Sequence, residues 1–436
     1  MNRYLLESTG KRYELDRHQI ARYERGEVRW PGAAYRAGFR AVLDAKSDDE
    51  LGFTPRRQSR TSRRSEGADE QPMGWHPSDV VATAEEMTSQ DVNLSRRKAL
   101  TSAAAVAGAA LTGPLQGWLT AQHARFAGCS AISVAELDGW REIAAQLQSW
   151  NSTPTGLLAR KAVIAQLNDV SDRLKEATDS ATTREGFLVG AELAEVAASM
   201  SWDSGLHRAA QRYYTLSVQF AKVGGDDIFA AVTLAAFARQ CFDLGQPEDG
   251  LELVQLAQYG TRRSAPPILR SLLATREAWS YAQTGAVQQF RRAVGLAEDH
   301  FGESTADEAD HRTRGLDEAE LYGVLGARWR DLAAVRQEPK EARYAQEYIS
   351  RALALRDPSR VRNRAFDLIG LARAHLVTGE PDRACELIDG VLPIAEHWAS
   401  GRVGEKLRDF HRESRPFVSS TTVRSTRNAV RDLIEI

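Results

Sequence analysis

The densest group of side chains able to bind a metal lies between residues 299 and 311. Carboxylates and imidazoles are common ligands of divalent metals, so this group is a candidate metal site. It stands, however, in the polar run Gly302–Gly315, which separates two helical segments and is typical of a solvated loop. We therefore interpret the group as a loop insertion and expect neither a metal nor a cofactor. Its members are Asp299, His300, Glu303, Asp307, Glu308, Asp310 and His311.

Motifs for nucleophilic or phosphate chemistry are absent from the sequence. There is no Ser-His-Asp elbow, no Gly-rich phosphate loop, no HExxH and no pair of neighbouring cysteines. The cysteines Cys129, Cys241 and Cys385 lie far apart, which indicates a reducing cytoplasm and argues against a disulfide scaffold or a zinc site. His375 and Cys385 fall on opposite helices of one repeat, and we interpret them as core residues. The chain is therefore not expected to be an enzyme.

Charge is unevenly distributed along the 436 residues, although the formal net charge is only −2. Residues 1–66 hold 15 Lys and Arg against 10 Asp and Glu, a balance of +5, which leaves −7 for residues 67–436. A basic head on an acidic body favours a nucleic-acid contact at the amino-terminal end. No run of 18 apolar residues occurs, so neither a membrane-spanning helix nor a membrane partner is expected.

An amphipathic helix is predicted over residues 16–26. Asp16 is suited to the N-cap position, and Ile20 and Tyr23 lie one turn apart on a single face. Gly26 ends the helix, because a residue without a Cβ adopts the left-handed conformation at least cost. The basic and polar side chains of this helix fall mainly away from its apolar face. A second amphipathic helix follows, with apolar positions at Tyr35, Phe39, Val42 and Leu43.

This segment resembles the recognition helix and following helix of the Cro/repressor-like (XRE-type) helix-turn-helix family. The string Glu24-Arg25-Gly26 with Pro31 is its most recognisable part, and Ile20 and Tyr23 stand at core positions. With Arg29-Trp30-Pro31, Tyr35 and Leu51-Gly52-Phe53, the pattern is similar to actinobacterial regulators that join such a domain to a tetratricopeptide-like body. The resemblance implies a DNA-binding helix-turn-helix domain, present in part, over residues 1–53.

The resemblance also implies roles for individual side chains, since the helix of this family lies in the major groove of double-stranded DNA. The expected base-reading residues are Arg17, His18, Gln19 and Arg22. Phosphate contacts are expected from Arg25 and Arg29, and contacts to the DNA backbone from Lys11 and Arg12 in the preceding loop. For each of these residues, the alternative is an ordinary solvated helix face.

One departure from the family pattern concerns the helices that precede the recognition helix. Complete domains have two such helices, whereas only 15 residues precede Asp16. Ile20 and Tyr23 would then lack much of their usual core, and their exposure would cost roughly 1.5–3 kcal/mol each. We hypothesise that the true start lies upstream of Met1. The alternative is a degenerate remnant of the domain.

Mapping the amino terminus of the cellular protein by mass spectrometry tests this hypothesis. We expect peptides encoded upstream of Met1, because the apolar face of Ile20 and Tyr23 needs the missing helices to cover it. A cellular chain that begins at Met1 contradicts the hypothesis.

Residues 54–98 are predicted to form a disordered basic linker. Of the 41 residues from 54 to 94 only 10 are apolar, too few to offset the loss of chain entropy on folding. Ser95-Arg96-Arg97-Lys98 before the run Thr101–Leu111 resembles a twin-arginine export signal, but such signals act near the amino terminus. We interpret it as the end of the linker, followed by an Ala-rich connecting helical segment over residues 99–129.

Residues 130–436 are predicted to be helical throughout, and five segments in this range share a helix, a tight turn and a second helix. Their turn residues are Gly205, Gly245, Gly285, Gln337 and Gly379, which gives steps of 40, 40, 52 and 42 residues. Five residues after the turn, where the two helices of a pair cross, a small residue excludes bulk. That residue is Ala210, Gly250, Ala342 or Ala384, with Phe290 as the exception.

These pairs resemble the tetratricopeptide repeat, most closely around Gly379. Leu368, Leu371, Ala372 and His375 fall at the four first-helix packing positions of that family, although the spacing exceeds its 34 residues. The predicted fold is all-α, with a partial helix-turn-helix followed by a TPR-like α-solenoid of antiparallel helix pairs over residues 130–436. Such a solenoid would enclose a concave groove. Tyr213 and Tyr214 are candidate groove residues, with core packing as the default interpretation.

The leading hypothesis is a cytoplasmic transcriptional regulator that binds an operator in double-stranded DNA. Its solenoid would sense a peptide, a small molecule or a partner protein, and a homodimer would set the spacing of the operator half-sites. The alternative is a TPR-type interaction scaffold in which the helix-turn-helix remnant no longer binds DNA.

Overall fold

The structure, a computed structural model, describes residues 39–43, 74–92, 105–121, 130–150, 156–305, 315–395 and 402–434. The chain divides into two compact units, Met1–Glu70 and Gln71–Ile436. In the first unit, residues 39–43 are helical, with Val42 and Leu43 exposed. The predicted recognition helix lies outside the described residues.

The described residues of the second unit are mainly helical, and an isolated bridge between Ser130 and Ala177 is their sole extended pairing. The first helices are α1 (Pro77–Val92), α2 (Ala109–Thr112) with a 3₁₀ turn (Gly113–Leu119), α3 (Val134–Trp150) and α4 (Gly156–Lys175). Five pairs follow: α5 (Ala181–Asp203) with α6 (His207–Gly224), α7 (Asp227–Asp243) with α8 (Pro247–Gly260), α9 (Pro267–Thr284) with α10 (Val287–Glu303), α11 (Glu318–Arg336) with α12 (Pro339–Leu355), and α13 (Val361–Val377) with α14 (Pro381–Ala395). Helices α15 (Arg402–Glu413) and α16 (Thr421–Ile434) come last, with a 3₁₀ turn (Arg415–Phe417) between them.

The five predicted pairs are all present, and the two helices of each pair pack against each other. Their turn residues adopt the left-handed conformation, with φ of 75° at Gly205, 71° at Gly245 and Gly285, and 78° at Gly379. Gln337 also does so, with φ of 56°, although a residue with a Cβ pays about 1–2 kcal/mol there. The predicted turns are therefore confirmed.

Close crossing of the two helices accounts for the small residue five positions after the turn. Ala210, Ala342 and Ala384 are fully buried there, and a methyl group added at Gly250 would overlap the ring of Phe242 on α7. The exception, Phe290, is also fully buried, and its ring meets the ring of Trp329 edge-on at 4.7 Å. The third pair therefore uses the bulk of Phe290 to pack against the fourth.

Successive pairs are stacked. Among the first helices, α7 contacts α9, α9 contacts α11, and α11 contacts α13. Each of the second helices α6, α8, α10 and α12 contacts the first helix of the following pair. On α7 the predicted apolar stripe is buried throughout: Ala231, Leu234, Ala235, Ala238 and Phe242. Stacking therefore joins the apolar faces of the pairs into extended cores.

The predicted loop insertion separates the third and fourth pairs. Helix α10 ends at Glu303 and α11 begins at Glu318. Residues 306–314, which make up most of the insertion, lie outside the described residues.

Helix α1 corrects the prediction of a disordered linker over residues 54–98. It packs on α4 and α6 and buries Val80, Val81, Ala84 and Met87. The spacing of these residues is that of one helix face. The prediction is therefore wrong for residues 77–92, because a composition averaged over 41 residues conceals a short amphipathic helix.

Residues 105–121, within the predicted connecting segment, dock on the first two pairs. Trp118 is fully buried, and its Nε1 donates to Asp227 at 2.9 Å. The hydroxyl of Thr112 donates to Glu252 of α8 at 2.7 Å. In this range helical structure is confined to α2 and the 3₁₀ turn. Residues 105–121 of the predicted connecting helical segment are therefore not one continuous helix.

Replacement of Gly250 by Ala is expected to lower the free energy of unfolding by about 1–2 kcal/mol. Displacing the ring of Phe242 typically costs about 1–3 kcal/mol, more than the gain of up to about 1 kcal/mol in helix propensity. Gly390→Ala in α14 is the matched control, since no atom lies within 4 Å of its added methyl group, and a gain of about 0.5–1 kcal/mol is expected. Urea denaturation measures both changes, and equal effects would contradict the crossing geometry.

Candidate functional site

Equivalent positions of neighbouring first helices carry arginine or tryptophan. Nine residues before the turn stand Arg276 on α9 and Arg328 on α11, and six residues before it stand Arg239 on α7, Trp279 on α9 and Arg373 on α13. Because these helices lie side by side, the five residues follow one another across the stack. We call the surface formed by Arg239, Arg276, Trp279, Arg328 and Arg373 the inner face.

Arg276 is the central cation of the inner face, and only 8% of its surface is exposed. Its Nη1 donates to the hydroxyl of Thr275 at 3.2 Å, whereas its Nε has no hydrogen-bond partner among the described residues. Burial and the positive charges of Arg239 and Arg328 hold the pKa of Arg276 well below its ordinary value, and Glu320 opposes them. Within the described ranges, no carboxylate forms an ion pair with this guanidinium group.

Arg328 stacks on Trp279. Its guanidinium carbon lies 3.3 Å from the centroid of the indole ring, a cation–π contact, and its Nη1 lies 3.1 Å from Oδ2 of Asp331. The indole ring also packs on Phe242, at a centroid distance of 5.1 Å. Its buried Nε1 has no hydrogen-bond partner in the described part of the chain. Arg328 is thus paired, whereas the adjacent indole N–H is unused.

Arg239 brings a third cation to the inner face. Its guanidinium carbon lies 5.8 Å from the ring of Trp202, and that of Arg402 lies 4.6 Å from the same ring. Burial and the charge of Arg402 lower the pKa of Arg239. Burial raises the pKa of Glu195 to about 7, although Arg239 acts in the opposite direction. Glu195 therefore compensates the charge of Arg239 only in part at neutral pH.

Two glutamines add unused acceptors close to these cations in sequence. Gln283 follows Arg276 by seven residues on α9, and its Nε2 donates to the carbonyl of Phe242 at 2.8 Å. Its Oε1, like that of Gln246 in the turn of the second pair, is buried without a partner among the described residues. Buried polar groups are normally hydrogen-bonded, so this concentration of unused donors and acceptors marks a candidate ligand site.

Helix α15 returns to the first helices of the early pairs. Nε of Arg402 lies 2.8 Å from Oδ1 of Asp203, at the end of α5. Nζ of Lys406 lies 3.4 Å from Oδ1 of Asp243, at the end of α7. These ion pairs join helices that are far apart in sequence and place α15 at the border of the inner face.

Helix α15 also neutralises the arginine at the far end of the inner face. Arg373 donates to Glu413 from its Nε at 2.8 Å and from its Nη2, and its Nη1 lies 3.2 Å from Oδ2 of Asp409. Arg373 on α13 is therefore fully paired. Arg276 on α9, by contrast, has no ion pair within the described residues.

A separate cavity of about 190 Å³ lies between α8, α9 and α10. Several of its polar side chains already have partners. The guanidinium carbon of Arg262 lies 4.1 Å from the ring of Tyr259, and Glu277 accepts from Gln258 at 3.1 Å. The other ionisable side chains that line this cavity are those of Arg270 and His300.

The predicted groove residues Tyr213 and Tyr214 are not on an accessible surface. Each is 1% exposed. The ring of Tyr214 stacks on Phe237 at 5.3 Å, and the hydroxyl of Tyr213 donates to Asp91 of α1 at 2.8 Å. The interpretation as core residues is therefore correct, and the prediction of ligand contacts for this pair is wrong.

Asp91 fastens α1 to the body of the second unit. It forms a buried ion pair with Arg160 of α4, whose Nε also donates to the hydroxyl of Ser201 on α5 at 2.7 Å. With the hydroxyl of Tyr213 on α6, side chains from two helices bind this one carboxylate of α1. Removing one member of such a network leaves a buried charge poorly compensated.

The candidate cysteines, His375 and the group at 299–311 do not form a common site among the described residues. Cys241 and Cys385 are free and buried, in agreement with a core role. Nδ1 of the half-buried His375 lies 2.7 Å from Oε2 of Glu380. Of the group at 299–311, Asp299, His300 and Glu303 are described, with His300 and Glu303 paired at 3.2 Å. In the described ranges, no three His, Cys, Asp or Glu side chains are positioned to hold a metal.

The predicted DNA-contacting residues lie outside the described residues, so their roles stay predictions. They are Lys11, Arg12, Arg17, His18, Gln19, Arg22, Arg25 and Arg29.

Sequence reasoning missed the inner face, although a signal for it was present. Aligning the segments on their turn residues brings Arg276 and Arg328 to one position, and Arg239 and Arg373 to another. Charged residues recurring on the first helices of an otherwise apolar repeat indicate a functional surface. The pairing of Arg373, however, depends on α15, which comes from a distant part of the chain.

Comparisons of the chain with protein-family models, with curated proteins and with solved structures found no match. In the described part of the second unit and at residues 39–43, no helix combines the length and the apolar character that crossing a membrane requires.

Replacement of Tyr213 by Phe is expected to lower the free energy of unfolding by about 1.5–3 kcal/mol, because the buried carboxylate of Asp91 loses a hydrogen bond. Burial raises the pKa of Tyr213, so its hydroxyl stays protonated and able to donate. Tyr259→Phe is the matched control, since Tyr259 is 56% exposed, and a change within about 0.5 kcal/mol is expected. Urea denaturation followed by circular dichroism compares the two, and equal stabilities would contradict the role of Asp91.

Proposed function

We propose that this chain is a transcriptional regulator, in which a helix-turn-helix within residues 1–53 binds operator DNA and the helical pairs bind a ligand. The observation that carries the ligand-binding part is Arg276, a buried cation without an ion-pair partner among the described residues. The DNA-binding part is supported by the string Glu24-Arg25-Gly26 with Pro31, and by the charge of +5 on residues 1–66.

Tetratricopeptide-like repeats are the architecture that we propose for the five pairs. Support comes from the left-handed turn residue, from the buried small residue five positions later, and from the contacts between successive first helices. Repeats of this kind stack into arrays that present an extended surface to a ligand. The inner face lies on the first helices of four consecutive pairs, as a ligand-binding role requires.

Helix α1 is the element that we propose to couple ligand binding to DNA binding. It is the first described helix of the second unit and follows the amino-terminal unit along the chain. Its Asp91 is held by side chains from α4 and α6, so a shift of the early pairs would alter how α1 is seated. A ligand that favours one seating over the other would change operator affinity to the extent of that preference.

An interaction scaffold is the second candidate. The polar inner face would suit a partner protein as well as a small ligand, and this candidate needs no DNA contact from residues 1–53. The two functions differ in what the basic side chains of the amino-terminal helix do, so substitutions there distinguish them.

Charge reversal at Arg17 or Arg22 tests the DNA-binding part. Each substitution to Glu is expected to weaken binding to a duplex selected by the wild-type chain by at least tenfold, because a base contact contributes about 1–3 kcal/mol. Fluorescence anisotropy at a fixed salt concentration measures the affinity. Arg263→Glu, an exposed position between α8 and α9, is the control and is expected to bind the duplex normally.

Two outcomes would contradict this proposal. One is failure of the wild-type chain to select any duplex above its non-specific affinity at physiological salt. The other is unchanged affinity in both reversed variants. Either result favours the interaction scaffold.

A further inference from the structure

We infer that the inner face around Arg276 binds the oxyanion of a small molecule, a phosphate or a carboxylate, between Arg239 on α7, Arg276 and Trp279 on α9, and Arg328 on α11. This inference rests on the proposed function, since it names the chemistry of the ligand that the helical pairs would sense. It is carried by burial, by unused hydrogen-bonding groups and by the pairing of the surrounding carboxylates.

The group around Arg276 is largely buried. Arg276, Trp279 and Arg328 each retain 8% exposure, so the group borders solvent while most of its surface is enclosed. A guanidinium group in such a setting loses much of its hydration, and it needs an anion to offset that loss. In a partly dry site, the attraction between an oxyanion and an arginine is also stronger than it is in water.

Two carboxylates near Arg276 and Arg328 already have partners. Glu320, whose charge acts on Arg276, accepts from Arg356 at 2.9 Å and from Asn363 at 2.9 Å. Asp331 is shared between Arg328 and Arg330.

The same holds at the border formed by α15. Asp203 binds Arg402 at 2.8 Å, and Asp243 binds Lys406 at 3.4 Å. The protein therefore neutralises the surroundings of the site and leaves the positive charges of Arg239 and Arg276 for an incoming anion.

Unused hydrogen-bonding groups define the shape of the ligand. Nε of Arg276 and Nε1 of Trp279 are donors without partners among the described residues, one helical turn apart on α9. Oε1 of Gln283 is an unused acceptor seven residues beyond Arg276, which corresponds to about 10 Å along the helix. A ligand that uses this row carries an oxyanion toward Arg276 and a hydrogen-bond donor toward Gln283.

Binding of simple anions provides the experiment. Isothermal titration calorimetry and thermal unfolding are measured with inorganic phosphate and with citrate, against sodium chloride at matched ionic strength. For the wild-type chain we expect saturable heat and a higher unfolding midpoint with at least one of the two anions. Binding of phosphate alone assigns a phosphate ligand, whereas binding of citrate alone assigns a carboxylate ligand. Sodium chloride alone is expected to give neither effect.

Arg276→Gln is the decisive variant. It is expected to weaken anion binding by at least tenfold and, in the absence of anion, to leave the unfolding midpoint unchanged or raised, because a poorly compensated buried charge is removed. A purely structural arginine would lower the midpoint instead. Arg270→Gln on the same helix is the matched control, since Arg270 is exposed and lines the separate cavity, and binding within twofold of wild type is expected.

Several results would overturn the inference. These are absence of binding to both anions, unchanged binding in Arg276→Gln, and loss of binding in Arg270→Gln alone, which would move the site to the cavity between α8 and α10. If Arg276→Gln does not fold, Arg239→Gln makes the same test from the neighbouring helix.

Duplex selection in parallel separates this inference from the proposed function. Anion binding without DNA binding would contradict the proposed regulator and support the anion site. DNA binding without anion binding would support the regulator and contradict the anion site.

Discussion

Helix α7 illustrates the constraint on which the second unit depends, because 11 of its 17 residues are buried. One antiparallel partner cannot cover so much of a helix surface, so α7 must contact α6, α8 and α9 at once. The same need recurs in each pair and is met by stacking. Close crossing within a pair makes the stacking possible, and it requires Gly250 beneath the ring of Phe242. The left-handed turn residue sets the geometry of that crossing.

Stacking of the first helices has an electrostatic consequence. It draws Arg239, Arg276 and Arg328 together in a poorly hydrated setting, where like charges repel and each guanidinium group needs a counter-charge. Helix α15 supplies counter-charges at Arg373 and takes up Asp203 and Asp243 for its own basic residues. The positive charge that remains is concentrated on two neighbouring helices. We regard this unneutralised charge as functional, since replacing a buried charge by an apolar side chain of similar volume is often neutral or stabilising.

Helix α1 is held on the early part of the second unit by polar as well as apolar contacts. Asp91 is buried together with Arg160 and Tyr213, so α1 is held by specific bonds as well as by apolar packing. Residues 105–121 dock separately, through Trp118 on Asp227 and Thr112 on Glu252. The two segments that follow the amino-terminal unit are therefore both anchored on the early pairs.

The sequence by itself determined the all-helical class, the five pairs and their turn residues. These features are local, because a turn residue needs only its own backbone conformation and a buried stripe only the helical period. Gly205 and Gln337 adopt the predicted conformation for this reason. Helix α1 was also within reach of the sequence, since Val80, Val81, Ala84 and Met87 already follow one helix face. It was missed because its surroundings are polar.

Only the tertiary structure decided which polar side chains are satisfied. Tyr213 is a core residue because Asp91, 122 positions away, accepts its hydrogen bond. Arg373 is paired because α15 folds back to it. Arg276 has no ion-pair partner among the described residues, and Glu320, the carboxylate that acts on it, is bound to Arg356. The partner of a charge depends on contacts between distant segments, and the spacing of residues along one helix carries no information about them. The group at 299–311 contains, in its described part, an ion pair of His300 with Glu303. The inner face, by contrast, is formed by arginines on different helices, which only the stacking of those helices brings together.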